Sequence, residues 1–113
     1  MEVFLLKLVK FFKSWQRRYF QLSDNSLIYY TDSSKSKQKG EYKIVSDSSC
    51  TDLSEYKGKS NIIVLQAAGV NKSEMIVLSA ETHEDKLVWI AEINGKISKL
   101  RESINKKFED LNK

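Results

Sequence analysis

The chain has 113 residues, no proline and one cysteine, and 41% of its residues are hydrophobic. That length and composition indicate one domain with a real hydrophobic core and exclude wholesale disorder. The single cysteine, Cys50, excludes an internal disulfide. His83 is the only histidine, so the sequence offers neither a cluster of zinc ligands nor a histidine for a catalytic triad. We therefore expect no enzyme activity, no metal and no cofactor. The longest apolar runs are far shorter than the roughly 20 residues of a membrane-spanning helix.

Positive charge is concentrated in the first part of the chain. Residues 1–43 contain nine basic and four acidic side chains, whereas residues 44–113 contain ten and eleven. An uneven surplus of this kind favours an anionic partner, such as a phosphate-rich membrane, a nucleic acid or an acidic protein. A solvated basic surface explains the same composition, and composition alone does not separate the two.

Short apolar or alternating segments separated by polar turns predict seven β-strands. The predicted strands are residues 3–8, 16–22, 27–31, 41–45, 49–53, 61–66 and 74–79. In the second strand Gln16, Arg18 and Phe20 share one face, and Arg17 lies on the other. Residues 32–39 and 54–60 are polar and are predicted as loops, and Gly69 and Asn71 suit a turn with positive φ. The pattern is typical of a β-sandwich or barrel.

The last third of the chain predicts one long helix. Thr82 is a good N-cap, and two acidic residues follow in the first turn, where the helix dipole favours them. An apolar stripe at spacings of three and four residues is wide enough to cover one opening of a barrel. Its members are Leu87, Trp89, Ile90, Ile93, Ile97 and Leu100. Gly95 weakens the middle of the helix and can mark a bend.

The helical pattern is longer than one small barrel needs. We interpret residues 1–100 as the domain and residues 101–113 as a continuation of the helix or a short amphipathic extension. Ile104 and Leu111 continue a heptad-like spacing there, with charged residues between them. A helix lying on the barrel and the start of a coiled coil both fit this pattern.

Several residues within this pattern are specific to one family. The run Trp15-Gln16-Arg17-Arg18-Tyr19-Phe20, with Phe-Leu-Leu-Lys at 4–7 before it and Leu-Ile-Tyr-Tyr at 27–30 after it, resembles the start of a pleckstrin homology (PH) domain. Lys39-Gly40 and Trp89 fall where that family keeps a basic residue beside glycine and its helix tryptophan. The resemblance covers roughly residues 3–100, with Val3 standing where glycine is frequent. It implies a mainly β fold: a seven-stranded, bent antiparallel barrel capped by one C-terminal α-helix.

The resemblance also implies a ligand, because many PH domains bind phosphoinositide headgroups at the positively charged open end of the barrel. Lysine and arginine supply both countercharge and several donors to a phosphate. Carried over position by position, the expected headgroup contacts are Lys7, Lys13, Gln16, Arg18, Tyr29 and Lys39.

Gln16 departs from the family pattern, because tight binders of 3-phosphorylated lipids usually have a basic residue there. An amide contributes a hydrogen bond without charge. The run from Trp15 to Phe20 is also closer to the PH domains of oxysterol-binding and related Golgi lipid-transfer proteins. We therefore favour a monophosphorylated lipid such as phosphatidylinositol 4-phosphate over 3-phosphorylated polyphosphoinositides.

Lys10, Phe11 and Phe12 lie in the loop between the first two predicted strands and resemble an apolar tip that enters the bilayer. The alternative is that the two phenylalanines fold back onto the barrel. Together these features predict a non-catalytic module that recruits its protein to cytoplasmic membrane surfaces, as a peripheral membrane protein in signalling or trafficking. The alternative is a protein-interaction module with weak or no lipid affinity that self-associates through the C-terminal helix. Nucleic-acid binding is disfavoured, because exposed aromatic stacking positions are not evident.

Overall fold

The computed structural model describes residues 1–9, 14–68 and 73–112. Within them, seven strands and one helix follow one another along the chain. The strands are β1 (Glu2–Val9), β2 (Ser14–Leu22), β3 (Ser26–Tyr30), β4 (Gln38–Lys43), β5 (Ser49–Tyr56), β6 (Lys59–Ala68) and β7 (Ser73–Ser79), and the helix α1 spans His83–Leu111. This architecture confirms the predicted mainly β fold with one C-terminal helix.

The strands form one antiparallel sheet in the order β4-β3-β2-β1-β7-β6-β5. A further pairing of Lys43 on β4, at one end of the sheet, with Ala68 on β6, next to the other end, curves the sheet into a barrel. β1 and β2 pair along their whole length, from Glu2 opposite Gln21 to Val9 opposite Ser14. Because side chains alternate along a strand, this register determines which residues face the barrel interior.

The barrel interior is filled by apolar side chains from the sheet and from α1. Leu5 and Phe20 are buried at the centre, and Trp89, Ile93 and Ile97 pack onto the same core from the helix. Burial of a side chain of this size contributes about 1.5–3 kcal/mol. The helix therefore closes one end of the barrel.

The helix begins as predicted and differs from prediction in two details. The Thr82 side chain accepts a hydrogen bond from the Asp85 backbone N–H at 3.1 Å, and the helix continues through Gly95 without interruption. Leu87 was expected in the buried stripe, but it is half exposed and Lys86 is buried instead. Lys86 Nζ lies 3.1 Å from the carboxylate of Asp52 on β5. The buried face therefore includes one lysine whose charge is paired across to the sheet.

The prediction of a polar loop at residues 54–60 is wrong. β5 and β6 extend into that segment and are joined by a two-residue turn at Lys57 and Gly58, with φ of 51° and 80°. Positive φ at both central residues matches the twist of the flanking strands, so a tight hairpin forms from polar residues. The Trp15 indole N–H donates to the Lys57 carbonyl oxygen at 3.1 Å and ties this turn to the start of β2.

Other differences are smaller. β4 begins at Gln38 and ends at Lys43, so the expected loop at 32–39 is shorter and the strand ends before Ile44. Gly69 and Asn71 lie outside the described residues. Cys50 is a buried core residue, and burial, with a smaller contribution from Asp52, raises its thiol pKa to about 12. Across the described residues, no helix is long and apolar enough to span a bilayer, and no His/Cys/Asp/Glu group could hold a metal.

Candidate functional site

The candidate site extends the interior face of β1 and β2 toward the end where the two strands join. Leu5 and Arg18 are directly opposite each other, as are Lys7 and Gln16. Leu5 is buried in the core. Lys7, two residues along β1, points to the same side of the sheet, and so do Arg18 and Gln16, which lie opposite these two residues on β2. Lys7 and Arg18 are both half-buried, and they lie at the boundary between the apolar core and the polar side chains at this end of the two strands.

Arg18 is held in place by two neutral acceptors. One guanidinium nitrogen, Nη2, donates to Gln16 Oε1 at 2.6 Å, and Nη1 donates to the Arg17 carbonyl oxygen at 2.9 Å. Neither acceptor is a carboxylate, so these bonds orient the guanidinium group without neutralising it. The Gln16 amide oxygen is occupied by Arg18, which leaves its NH2 group as the free donor of that side chain.

Tyr29 forms the wall of the site on β3. Its ring stacks between Phe20 and Tyr42, with centroids 5.4 Å and 5.3 Å away, and Lys7 Nζ lies 5.6 Å from its centroid. Gly40 lies opposite Tyr29 on β4 and leaves room for the ring. A cation over an aromatic face is attracted to the ring, so Tyr29 helps to position the Lys7 ammonium group.

Tyr42 on β4 packs against the Tyr29 ring and so holds this wall in place. Burial raises the pKa of the Tyr42 hydroxyl, and a hydrogen bond with Tyr29 raises it further. The hydroxyl therefore stays neutral and available for hydrogen bonding. Tyr42 was not among the predicted site residues; the signal for it is that Gly40 and Tyr42 alternate on β4 and so share a face.

The remaining predicted site residues are not all brought together. Lys39 is exposed on β4, at an irregularity in the register where Tyr29 pairs with Gly40 and Tyr30 with Gln38. Lys35, in the preceding loop, forms an ion pair with Glu2. The predicted contacts and membrane-inserting residues of the β1–β2 loop, which are Lys10, Phe11, Phe12 and Lys13, lie outside the described residues.

The arrangement suits an anion with several oxygen atoms. Lys7 and Arg18 supply two positive charges on one face, and Gln16 and Tyr29 add neutral groups beside them. Charge-assisted hydrogen bonds of this type are about twice as strong as neutral ones.

Comparison with protein families identifies the fold. The model of the PH domain family matches residues 1–98. This chain belongs to the PH domain family. A search of curated protein sequences found no match.

Solved PH domain structures are similar to this chain over most of its length. The PH domain of human oxysterol-binding protein-related protein 11 has a TM-score of 0.75 at 18% identity, covering 92% of this chain and 84% of that one. The carboxyl-terminal PH domain of pleckstrin gives 0.72 at 22%, covering 86% and 95%. The Slm1 PH domain in complex with phosphoserine gives 0.69 at 23%, covering 87% and 94%. At these identities the structural similarity establishes the PH fold.

Proposed function

We propose that this PH domain is a non-catalytic module that binds phosphoinositide headgroups. The observation that carries the proposal is the placement of Lys7 and Arg18 on one face of β1 and β2, where Arg18 donates to two neutral acceptors. Two solved relatives support it: the Slm1 PH domain has been crystallised with inositol 4-phosphate, and the pleckstrin carboxyl-terminal PH domain with an inositol pentakisphosphate.

Within this proposal, Lys7 and Arg18 bind phosphate oxygens directly, and Gln16 donates through its NH2 group. Tyr29 positions Lys7 and offers its hydroxyl at the rim, while Lys39 and Lys13 contribute from β4 and from the β1–β2 loop. Each charge-assisted bond to phosphate is worth about 1.5–3 kcal/mol. Two such bonds suit a headgroup with one or two phosphates, so phosphatidylinositol 4-phosphate is the favoured lipid.

Membrane docking would follow from headgroup binding. Lys10, Phe11 and Phe12 are adjacent in the β1–β2 loop, between the strands that carry Lys7 and Arg18. Lysines near an anionic surface contribute about 1 kcal/mol each, and the phenylalanines add apolar area within the bilayer interface. The domain would thus be a peripheral protein of cytoplasmic membranes, in signalling or membrane trafficking.

A second function rests on the helix extension. Ile104, Phe108 and Leu111 are 52%, 66% and 82% exposed and recur at helical spacing on one side of α1. That spacing suits packing against another helix. A protein-interaction role, including self-association, is compatible with lipid binding because this stripe lies beyond the part of the helix that packs on the barrel.

The primary test is calorimetric titration of the full chain with inositol 1,4-bisphosphate, the soluble headgroup of phosphatidylinositol 4-phosphate. Lys7→Ala and Arg18→Ala should each weaken binding by about tenfold or more, because each removes a charge-assisted bond. Lys106→Ala, on the exposed helix extension, is the matched control and should bind normally. Equal affinity of all four proteins, or no binding by the wild type, would refute headgroup recognition at this site.

Vesicle sedimentation separates membrane insertion from headgroup recognition. Replacing both Phe11 and Phe12 by alanine should weaken binding to vesicles containing phosphatidylinositol 4-phosphate while leaving affinity for the soluble headgroup unchanged. Loss of both activities would assign the phenylalanines to the fold instead. Wild-type binding to neutral vesicles as strong as to phosphoinositide vesicles would contradict the proposed recruitment mechanism.

A further inference from the structure

One edge of β1 is only partly covered. β2 pairs with all eight residues of β1, whereas β7 pairs with it only at Leu6 and Lys7. β7 ends at Ser79, and the Ala80 N–H then donates to the Asn61 carbonyl oxygen near the start of β6. Among the described residues, none pairs with residues 3–5 on the β7 side. Leu5 is buried, so the part of this edge that another strand can reach is at Val3 and Phe4, which are half-buried.

A cavity of about 220 Å³ lies beside this open edge. Phe4, Leu6 and Ala80 supply apolar lining, and Arg17 and Glu81 supply charged groups. A cavity of about 150 Å³ already admits a benzene-sized group, so this one has room for a single aliphatic or aromatic side chain. We refer to this cavity and the adjoining edge at Val3 and Phe4 as the edge notch.

Arg17 and Glu81 place one charge of each sign at the edge notch, and Arg17 is the group there that can donate hydrogen bonds to a carboxylate. Its guanidinium carbon lies 3.6 Å from the centroid of the Phe4 ring, so the group is spread over the aromatic face. The ion pairs formed by the described residues do not include Arg17. Stacking on an aromatic ring leaves the edge of the guanidinium group able to donate to a carboxylate.

We propose that the edge notch binds an extended peptide segment of a partner protein, which adds to β1 as a strand and directs a carboxylate to Arg17. The open edge calls for backbone pairing, the cavity accepts one apolar side chain, and Arg17 selects an acidic residue close to it. Strand addition to an exposed edge obtains affinity from main-chain hydrogen bonds and specificity from pockets for alternate side chains.

The edge notch is separate from the headgroup site. Arg17 lies on the outer face of β2, whereas its neighbour Arg18 faces the same side as Leu5 and Lys7. Peptide and headgroup therefore bind without competing, and the proposal does not depend on lipid binding. On a membrane, the domain would join an acidic peptide partner to a lipid surface.

The test is an NMR titration of the isotopically labelled full chain with two blocked peptides, acetyl-Thr-Val-Glu-Val-Thr-amide and its counterpart with lysine at the centre. The glutamate peptide should shift the backbone amides of Phe4 and of residues 79–81. It should bind about three- to fivefold more tightly than the lysine peptide, as expected of one exposed ion pair. Arg17→Glu should reverse this order of preference.

Two further measurements sharpen the test. A glutamate peptide N-methylated at its central residue should bind more weakly, because methylation removes a backbone donor and obstructs strand pairing. Saturating inositol 1,4-bisphosphate should leave the peptide affinity unchanged. Shifts confined to other residues, or a preference that Arg17→Glu leaves unaltered, would overturn the proposal. So would concentration-dependent shifts of the same amides without peptide, since a second copy of the chain would then occupy the notch.

Discussion

Gly40 and Tyr29 face each other across β3 and β4 so closely that a Cβ atom at Gly40 would lie 2.5 Å from the Tyr29 hydroxyl oxygen. The ring carbons Cζ and Cε1 would be 2.6 Å and 2.7 Å away. Glycine is required here for space, because the ring of Tyr29 is fixed between Phe20 and Tyr42 and cannot tilt aside freely. Because Gly40 has no side chain, the Tyr29 ring can keep its position in the aromatic wall beside Lys7.

Gly40→Ala should therefore lower both stability and headgroup affinity. Overpacking of this kind costs about 1–3 kcal/mol in the free energy of unfolding, measured by urea denaturation. Gly95→Ala is the matched control, since a Cβ there meets no atom within 4 Å and replaces glycine inside a helix. That variant should be more stable by about 0.5–1 kcal/mol. Equal stability of Gly40→Ala and the wild type would show that Tyr29 rearranges readily.

Gln16 controls how much charge the site presents. It lies opposite Lys7 and accepts from Arg18, so it contributes orientation and no charge. Gln16→Lys should add a third cation and strengthen binding of inositol 1,4,5-trisphosphate by about fivefold, as a neutral bond becomes charge-assisted. The gain for inositol 1,4-bisphosphate should be smaller, because it has fewer phosphates to share.

Gln16→Ala serves as the control for this prediction. It frees Arg18 from its 2.6 Å bond without adding charge, so affinity for both inositol phosphates should fall by less than in Arg18→Ala. Calorimetry on the three variants distinguishes the two roles of Gln16. If Gln16→Lys binds the trisphosphate no better than the wild type, phosphate does not reach this position.

Features that depend on residues close together in the sequence could be predicted, whereas features that depend on side-chain contacts in the assembled sheet could not. The hairpin of β2 and β3 follows from alternating residues and a polar turn, and its register sets Phe20 opposite Tyr29. Alternation along β2 likewise placed Arg18 and Gln16 on one face. The bond between these two side chains is a rotamer choice made in the assembled sheet, so periodicity could not reveal it.

The helix shows a second limit. Leu87 was expected to be buried because it is apolar, yet the buried positions are Lys86, Trp89, Ile93 and Ile97. The orientation of the helix is determined by where these side chains meet the barrel, and Lys86 is accommodated there by a carboxylate on β5. A lysine can bury its methylene stem while its charged end reaches a partner, so residue type alone gives the wrong position.

The ion pair of Lys86 and Asp52 should contribute to stability because Lys86 is only 4% exposed. Asp52→Ala leaves a buried ammonium group without its carboxylate, and we expect a loss of about 1–3 kcal/mol in the free energy of unfolding. Lys86→Met combined with Asp52→Ala should recover most of that loss. Asp24→Ala, which breaks the exposed pair with Lys96, is the control and should change stability little. A similar small effect in Asp52→Ala would mean that solvent reaches Lys86.

The sequence predicts that the folded domain ends at residue 100, and we propose from the contacts of Arg101 that it ends one residue later. Its Nε donates to the Ser46 carbonyl oxygen at 2.6 Å, and its Nη2 to that of Ser48 at 3.3 Å, so it ties α1 to the segment between β4 and β5. Residues 102–112 are all exposed. A chain ending at residue 101 should therefore keep the stability of the full chain within about 0.5 kcal/mol, since exposed residues contribute little.

A chain ending at Leu100 should be less stable than one ending at Arg101 by about 1–2 kcal/mol, because it lacks both hydrogen bonds. Urea denaturation of the three chains measures the difference, and Arg101→Ala in the full chain controls for the helix end that truncation creates. If the chain ending at residue 101 is already less stable than the full chain, while Arg101→Ala in the full chain has little effect, the extension itself packs on the barrel. The domain would then include the whole of α1.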